Sequence, residues 1–312
     1  MGIEQEIGFG IGRSEPPANK GMSTRFKGRL RARFIEPPFS ILNAASSAWQ
    51  ERKWAWASIE GRLGRDAPVY YRPRDDPMAK KINAVNPISA FDPVLCEILY
   101  HWFCPPTGQI LDPFAGGSTR GIVASCCGYR YHGIDLSLRQ IEANRAQLTA
   151  RNCGEHPPVW EHGDSRKRVR HDREFDRPVD FVFSCPPYGD IERYSDDEFD
   201  LSNMNHHDFL EAYRDIIAGC CGHLKDSRFA AFVVGNYRNK KTGMLYDLVG
   251  QTIKAFALAG LSYYNELILA QSIGTASVRA PNIFDGGRRK ITRVHQTVVV
   301  CVKGSPPDEN WE

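Results

Sequence analysis

Gln109-Ile110-Leu111-Asp112-Pro113-Phe114-Ala115-Gly116-Gly117-Ser118-Thr119 is the stretch on which the fold turns. Gln109 to Leu111 reads as a short strand, and the segment from Gly117 to Cys127 reads as a helix. The glycines between them permit a tight turn and close backbone approach to a ligand. The N–H groups that open the helix can receive a carboxylate or phosphate. The following strand, Arg130 to Ile134, ends in Asp135, twenty-three residues after Asp112. A carboxylate at the tip of a second strand is placed to hold the two hydroxyls of a ribose. The turn lacks G-x-G-x-x-G spacing, and no lysine follows its glycines as in a phosphate-binding P-loop. Dinucleotide and ATP chemistry are therefore disfavoured.

Outward from this turn the chain alternates. Upstream, residues 91 to 103 form an amphipathic helical pattern with Val94, Leu95, Ile98, Leu99 and Trp102 on one side. Downstream come a helix from Leu138 to Arg151, an apolar strand at Phe181-Val182-Phe183, and a helix marked by Phe209, Tyr213, Ile216, Ile217, Cys220 and Leu224. A strand at Phe229 to Val234, a helix at Leu245 to Leu258, and strands at Tyr263 to Ala270 and Gln296 to Val302 complete the pattern. Strands alternating with helices predict an α/β, mostly parallel, doubly wound sheet covered on both faces. The last two strands have only a polar loop between them, which predicts an antiparallel final pair. Three regions follow: a basic N-terminal extension over 1–85, a main domain over 86–304 with a loop at 271–293, and a tail over 305–312. Within the extension, Gly8 to Gly12 reads as a flexible tail. The helix-prone stretch from Ala44 to Leu63, with Trp49, Trp54 and Trp56, is expected to pack on the main body.

Composition narrows the class. The 312 residues are 42% hydrophobic, no apolar run approaches a membrane span, and the start has no signal-peptide pattern. Nine cysteines sit mostly in apolar segments, two adjacent pairs among them, and no CxxC occurs. This suits an intracellular, reducing setting rather than a disulfide framework or a metal site. Cys220-Cys221-Gly222-His223 is crowded and helical, which disfavours zinc. The net charge of +3 says little, but its distribution says more. Lys27, Arg29, Arg31 and Arg33 alternate behind Arg25; Arg166, Lys167, Arg168 and Arg170 cluster; so do Arg288, Arg289, Lys290 and Arg293. Such clusters suit either a phosphate backbone or a solvated face.

Ser184-Cys185-Pro186-Pro187-Tyr188 closes the apolar strand at 181–183. Two prolines have fixed φ and no N–H, so the chain is stiff there and its carbonyls are left to accept hydrogen bonds. An aromatic beside such carbonyls can stack on a flat heterocycle while they take its amino hydrogens. That describes a pocket for a flipped nucleobase.

The two segments together resemble the amino-methylating DNA methyltransferases, which use S-adenosylmethionine to act on N4 of cytosine or N6 of adenine. Asp-Pro-Phe-x-Gly-Gly is similar to that family's cofactor loop, and the likeness runs from Pro87 through Ala143. The Pro-Pro-Tyr segment is similar to the family's catalytic motif, in the expected order. By this resemblance Asp112, with Pro113 and Phe114, lies by the methionine moiety of the cofactor, Gly116 and Gly117 line the loop, and Asp135 binds ribose. Asp164 matches the acid near the adenine amino group, although a turn residue there is an equal reading. Pro186 and Pro187 supply carbonyl acceptors, and Tyr188 stacks on the base. The chain departs from the family in reading Gly-Gly-Ser-Thr instead of Gly-Ser-Gly-Thr, and in carrying Asp instead of Glu at the ribose position.

The larger departure is Cys185, where the family carries Asp, Asn or Ser. Three readings stand. The enzyme methylates an amino nitrogen through backbone carbonyls and Ser184; or Cys185 adds to carbon-6 of a pyrimidine so that carbon-5 takes the methyl group, as in a phage-type variant; or the thiol is a small buried residue without a role. The second is preferred, because the position faces the substrate and a thiol is a good nucleophile. It also wants a carboxylate for the cytosine ring, with Glu266 and Glu192 as candidates. The resemblance implies a Rossmann-like, mostly parallel sheet of seven strands, double-stranded DNA as partner, S-adenosylmethionine as cofactor, and no metal or membrane. Arg29, Arg31, Arg33, Arg279, Arg288, Arg289 and Lys290 are the candidate DNA contacts. RNA methylation and a non-catalytic nucleic-acid-binding role are the rival readings.

Overall fold

The computed structural model describes residues 22–60, 91–149, 154–170, 175, 177–189, 197–274, 276–286 and 289–308. In chain order the elements are α1 (Met22–Phe34), β1 (Ile41–Asn43), α2 (Ser47–Glu60), α3 (Pro93–Phe103), β2 (Gln109–Asp112) and α4 (Thr119–Cys126). Then come β3 (Arg130–Asp135), α5 (Leu138–Thr149), β4 (Val159–His162), the single turn α6 (Ser165–Arg168) and β5 (Val179–Ser184). The chain continues through α7 (His206–His223), β6 (Leu224–Val234), β7 (Tyr237–Arg238), β8 (Leu245–Tyr246) and α8 (Leu248–Leu258). It ends with β9 (Leu261–Ala270), α9 (Ala276–Asp285) and β10 (His295–Lys303).

The main sheet runs β1-β9-β10-β6-β5-β2-β3-β4. Only β10 is antiparallel to its neighbours. This is the expected α/β Rossmann-like methyltransferase fold with an antiparallel final strand. The chain winds outward from β2 through β3 to β4, then returns to place β5 on the other side. The order therefore reverses between β2 and β5, and the carboxyl ends of these strands flank a crevice. Asp112 terminates β2, Ser184 terminates β5, and Asp135 terminates the neighbouring β3.

Strand alternation feeds two apolar layers. Ile110, Phe181, Phe183, Ala231 and Val300 join one layer with α3, α4 and the tryptophans of α2. Leu111, Val182, Ala230, Phe232 and Val299 join the other with α7 and α8. All six residues of β5 are buried, as a central parallel strand requires.

Three details differ from the sequence expectation. The sheet has eight strands, because β1 pairs in parallel with the outer edge of β9, Ile41 to Asn43 against Ile268 to Ala270. The described part of the N-terminal extension is thus built into the main domain. The predicted polar loop at 271–293 contains α9, with Pro281 inside it. The predicted helix over 245–258 begins at Leu248, because Leu245 and Tyr246 instead pair with Arg238 and Tyr237 in a small hairpin. The tail of Gly8 to Gly12 and the boundary near residue 85 lie outside the described residues.

α2 is locked to α3 by polar groups as well as by Trp49 and Trp56. Glu97, almost fully buried on α3, accepts from Arg52 Nε at 2.6 Å and from Trp56 Nε1 at 2.8 Å, and Arg52 also donates through Nη2. Asp92 caps α3 at Val94 N and takes Lys53 Nζ at 2.8 Å. A buried carboxylate is tolerable only while its partners remain. Glu97→Leu strands the Trp56 N–H and the Arg52 fork. It is expected to destabilise the protein by about 2–4 kcal/mol, discounted because Arg52 is partly solvated. Denaturant unfolding monitored by tryptophan fluorescence checks this.

Candidate active site

The turn after β2 is held from below by a buried cation. Asp112 is fully buried and accepts from Arg120 Nε at 2.5 Å, Tyr131 Oη at 2.7 Å, Ser184 Oγ at 2.5 Å and Phe114 N at 3.1 Å. Arg120, the second residue of α4, also donates through Nη2 to the carbonyls of Phe114 and Ala115 and lies over the Phe91 ring. Burial works against its charge, but Asp112 opposite holds the guanidinium firmly protonated. Asp112 is therefore a hub whose oxygens are committed within the protein. It joins the turn after β2 to the last residue of β5.

Above this hub the turn is shaped by backbone groups. Gly116 has φ +52, a conformation that favours glycine, and its N–H donates to Asp135 Oδ2 at 2.8 Å. Asp135 is half-buried at the tip of β3 and also accepts from Ser137 N at 2.8 Å. Asn144 on α5 donates to the Gly116 carbonyl at 2.8 Å. A Cβ added at Gly117 would meet no atom within 4 Å, so this side of the loop keeps an open approach. The donor set, the carboxylate at the strand tip and the open glycine fit a nucleoside cofactor. Asp164 sits beside Asp135, because Gly163 N donates to the Asp135 carbonyl at 2.9 Å and Asp135 pairs with His162. Asp164 caps α6 through Arg166 N. The Pro113 carbonyl accepts from Ser165 Oγ at 2.5 Å, and the Phe114 ring turns away against Tyr213 and Phe232.

At the end of β5, Ser184 is fully buried and spent on Asp112, so it does not present its hydroxyl to a substrate. Cys185 is half-buried, and its sulfur lies 3.7 Å from Tyr188 Oη. Tyr188 Oη accepts from Gln296 Nε2 at 2.8 Å, which leaves its own hydrogen for the sulfur. Burial, then the neighbouring Cys185, pushes the Tyr188 phenol well above its ordinary value, so it stays protonated. Pro186 is buried and Pro187 half-buried. Gly189, with φ +54, passes close under Tyr237, whose hydroxyl oxygen would lie 2.4 Å from a Cβ there.

The basic residues divide. Lys290 packs its side chain by Gly243 of the hairpin, and Arg293 donates to the Asn236 carbonyl. Arg279 is exposed on α9, and Arg289 pairs with Asp285 and covers the Phe284 ring. All of these stand on the segment between β9 and β10, and Lys290 and Arg293 reach the segment that follows β6. Arg29, Arg31 and Arg33 do not join them. α1 docks on the last turn of α3, where Trp102 Nε1 donates to the Phe34 carbonyl and His101 meets the Arg33 carbonyl. That turn leads into the start of β2, so this end of α1 lies at the opposite edge of the sheet. Glu266 is exposed in the middle of β9 and takes a hydrogen bond from Tyr263 Oη. Arg288 and Glu192 lie outside the described residues. Among the described residues no group of three His, Cys, Asp or Glu is arranged to hold a metal, and no helix is long and apolar enough to cross a membrane.

Sequence reasoning missed Arg120, Tyr131, Gln296, Tyr237 and His206. Only Arg120 carries a signal, a charge just ahead of the uncharged run Gly121-Ile122-Val123-Ala124.

Comparison with known proteins points the same way. Residues 107–225 match a family model described as RNA cap guanine-N2 methyltransferase. No curated protein matches. Solved structures similar to the chain include TrmN from Thermus thermophilus (17% identity, TM-score 0.45, 69% of this chain and 50% of that one). Another is an S-adenosylmethionine-dependent methyltransferase from Methanosarcina mazei (11%, 0.44, 66% and 97%). A third is magnesium protoporphyrin IX methyltransferase from Synechocystis, with bound S-adenosylmethionine (11%, 0.39, 64% and 71%). The chain spans half the length of the TrmN chain, and at these identities the likeness is one of fold. The matched family model supports the class, a methyltransferase.

Two outcomes test this geometry. Asp112→Asn leaves Arg120 buried without its counter-charge and is expected to cost about 3–5 kcal/mol of stability in urea unfolding. Asp135→Ala removes a charged acceptor from the expected ribose position. It is expected to weaken cofactor binding about 10- to 100-fold by calorimetry, the scale of one or two charge-assisted hydrogen bonds.

Proposed function

We propose that the protein methylates a base of double-stranded DNA, with cytosine carbon-5 as the acceptor and Cys185 as the covalent nucleophile. The observation that carries this reading is the state of the motif's side chains. Ser184 is sealed on Asp112, whereas Cys185 is only partly buried and its sulfur lies 3.7 Å from the Tyr188 hydroxyl.

The cofactor would supply an electrophilic methyl group. Asp135 would hold its ribose, Asp164 its adenine amino group, and Gly116 and Gly117 would admit it to the loop. Pro186 and Pro187 would present carbonyls to the amino group of the flipped cytosine, with Tyr188 against its ring. The Cys185 sulfur forms a bond to carbon-6, and the pair displaced from the ring double bond makes carbon-5 the nucleophile. After carbon-5 takes the methyl group, loss of its proton re-forms the double bond and expels the thiolate. Arg279, Arg289 and Lys290 would meet the phosphate backbone.

The matched family favours a second reading, transfer to an exocyclic amino nitrogen in DNA or RNA without a covalent step. Incubation with cofactor and unmodified DNA or RNA, followed by digestion and mass identification of the nucleoside, separates the two. The expected product is 5-methylcytosine from DNA, lost in Cys185→Ser. An N-methylated base, or activity retained in Cys185→Ser, overturns the cysteine mechanism.

A further inference from the structure

We propose that the β7–β8 hairpin is a wedge that enters the duplex next to the target base. Met244 fills the gap left by the extruded base, while Lys240 and Lys241 hold the flanking phosphates. This rests on the nucleic-acid reading above and adds how the base is delivered to the motif.

The hairpin leaves the carboxyl end of β6, the strand beside β5 and its motif. Its base is fastened to the site. Tyr237 packs on Gly189, the residue after Tyr188, and its hydroxyl meets His206 Nδ1 at 3.1 Å. The His206 ring stacks on Tyr246, centroids 3.7 Å apart and planes 16° apart. Burial lowers the pKa of His206 and favours the neutral ring.

The tip is rigid without a core of its own. Asn239 Oδ1 accepts from the N–H groups of Lys241 and Thr242, both at 2.9 Å. Gly243 N donates to the Asn239 carbonyl, Asn239 N to the Met244 carbonyl, and Arg238 to the Gly243 carbonyl, each at 2.9 Å. Gly243 has φ +78, and the Lys290 side chain lies against it.

On this stiff tip Met244 is 71% exposed and Leu245 55%. One exposed apolar residue is ordinary. Here the pair stands on a braced turn, next to the motif, with Lys240 and Lys241 exposed beside it and Lys290 behind. An apolar point ringed by cations fits a polyanion whose interior is apolar, which is a stacked duplex. Proteins that unstack bases insert Met, Leu, Ile or Phe in this way, and extrusion of a paired base has a cost that single strands do not carry.

The test measures methyl transfer to unmodified plasmid duplex and to the same DNA heat-denatured, for the wild type, Met244→Ala and Met244→Leu. Melting curves confirm folding. Met244→Ala is expected to lower the duplex-to-single-strand rate ratio by about tenfold, the scale of an unstacked base step, and Met244→Leu to keep it within about twofold. Lys240→Ala with Lys241→Ala is expected to flatten the salt dependence of duplex binding by about two phosphate contacts. An unchanged ratio in Met244→Ala overturns the wedge while leaving the base-methylation reading intact. A wild type that methylates neither form of DNA overturns both.

Discussion

The carboxylate of Asp112 is the constraint on which the rest depends. It has no access to solvent, and it is tolerable there only because a guanidinium, a phenol, a hydroxyl and a backbone N–H all point at it. Those four donors come from α4, β3, β5 and the turn itself. The turn after β2 and the end of β5 are therefore fixed to one atom group. Any shift of the turn is felt at Ser184, one residue before the thiol. The same hydrogen bond to Asp112 keeps the Ser184 hydroxyl occupied within the protein.

The motif side chains then differ by environment rather than by position. The buried thiols Cys104 and Cys220 have their pKa pushed up by burial, which makes them inert packing residues. Cys185 packs against the layer that holds Cys104 and is only partly buried, with Tyr188 and Gln296 arranged in a chain toward its sulfur. The chain has a direction because Tyr188 has one hydrogen, left for the sulfur once its oxygen accepts from Gln296.

Much of this was legible in the sequence because it rests on local rules. The strand-turn-helix at Asp112, the acid at Asp135 and the strand closing on Pro-Pro-Tyr follow from periodicity and from glycine and proline chemistry. What was hidden depends on contacts distant along the chain. Gln296 reaches Tyr188 across 108 positions, and nothing local marks it. β1 is a three-residue strand with an exposed-buried-exposed pattern, too short for alternation to register. The hairpin was absorbed into the next helix because Leu245 and Leu248 share its apolar spacing. Cross-strand pairing and the Asn239 turn decide otherwise. α9 was missed because its faces are largely exposed and it contains Pro281.

The pairing of β1 with β9 also sets an order of events. Ile41 to Asn43 have no place in the sheet until Ile268 to Ala270 exist to receive them. A strand early in the chain is thus joined to one late in it, across a loop that spans most of the protein. Such a contact forms slowly, because closing a long loop must precede any gain from it. Until then the outer edge of β9 offers unpaired backbone groups to any other extended chain. The N-terminal strand acts as the selvedge of the sheet, and the nascent protein is most exposed to mispairing while that edge is unfinished.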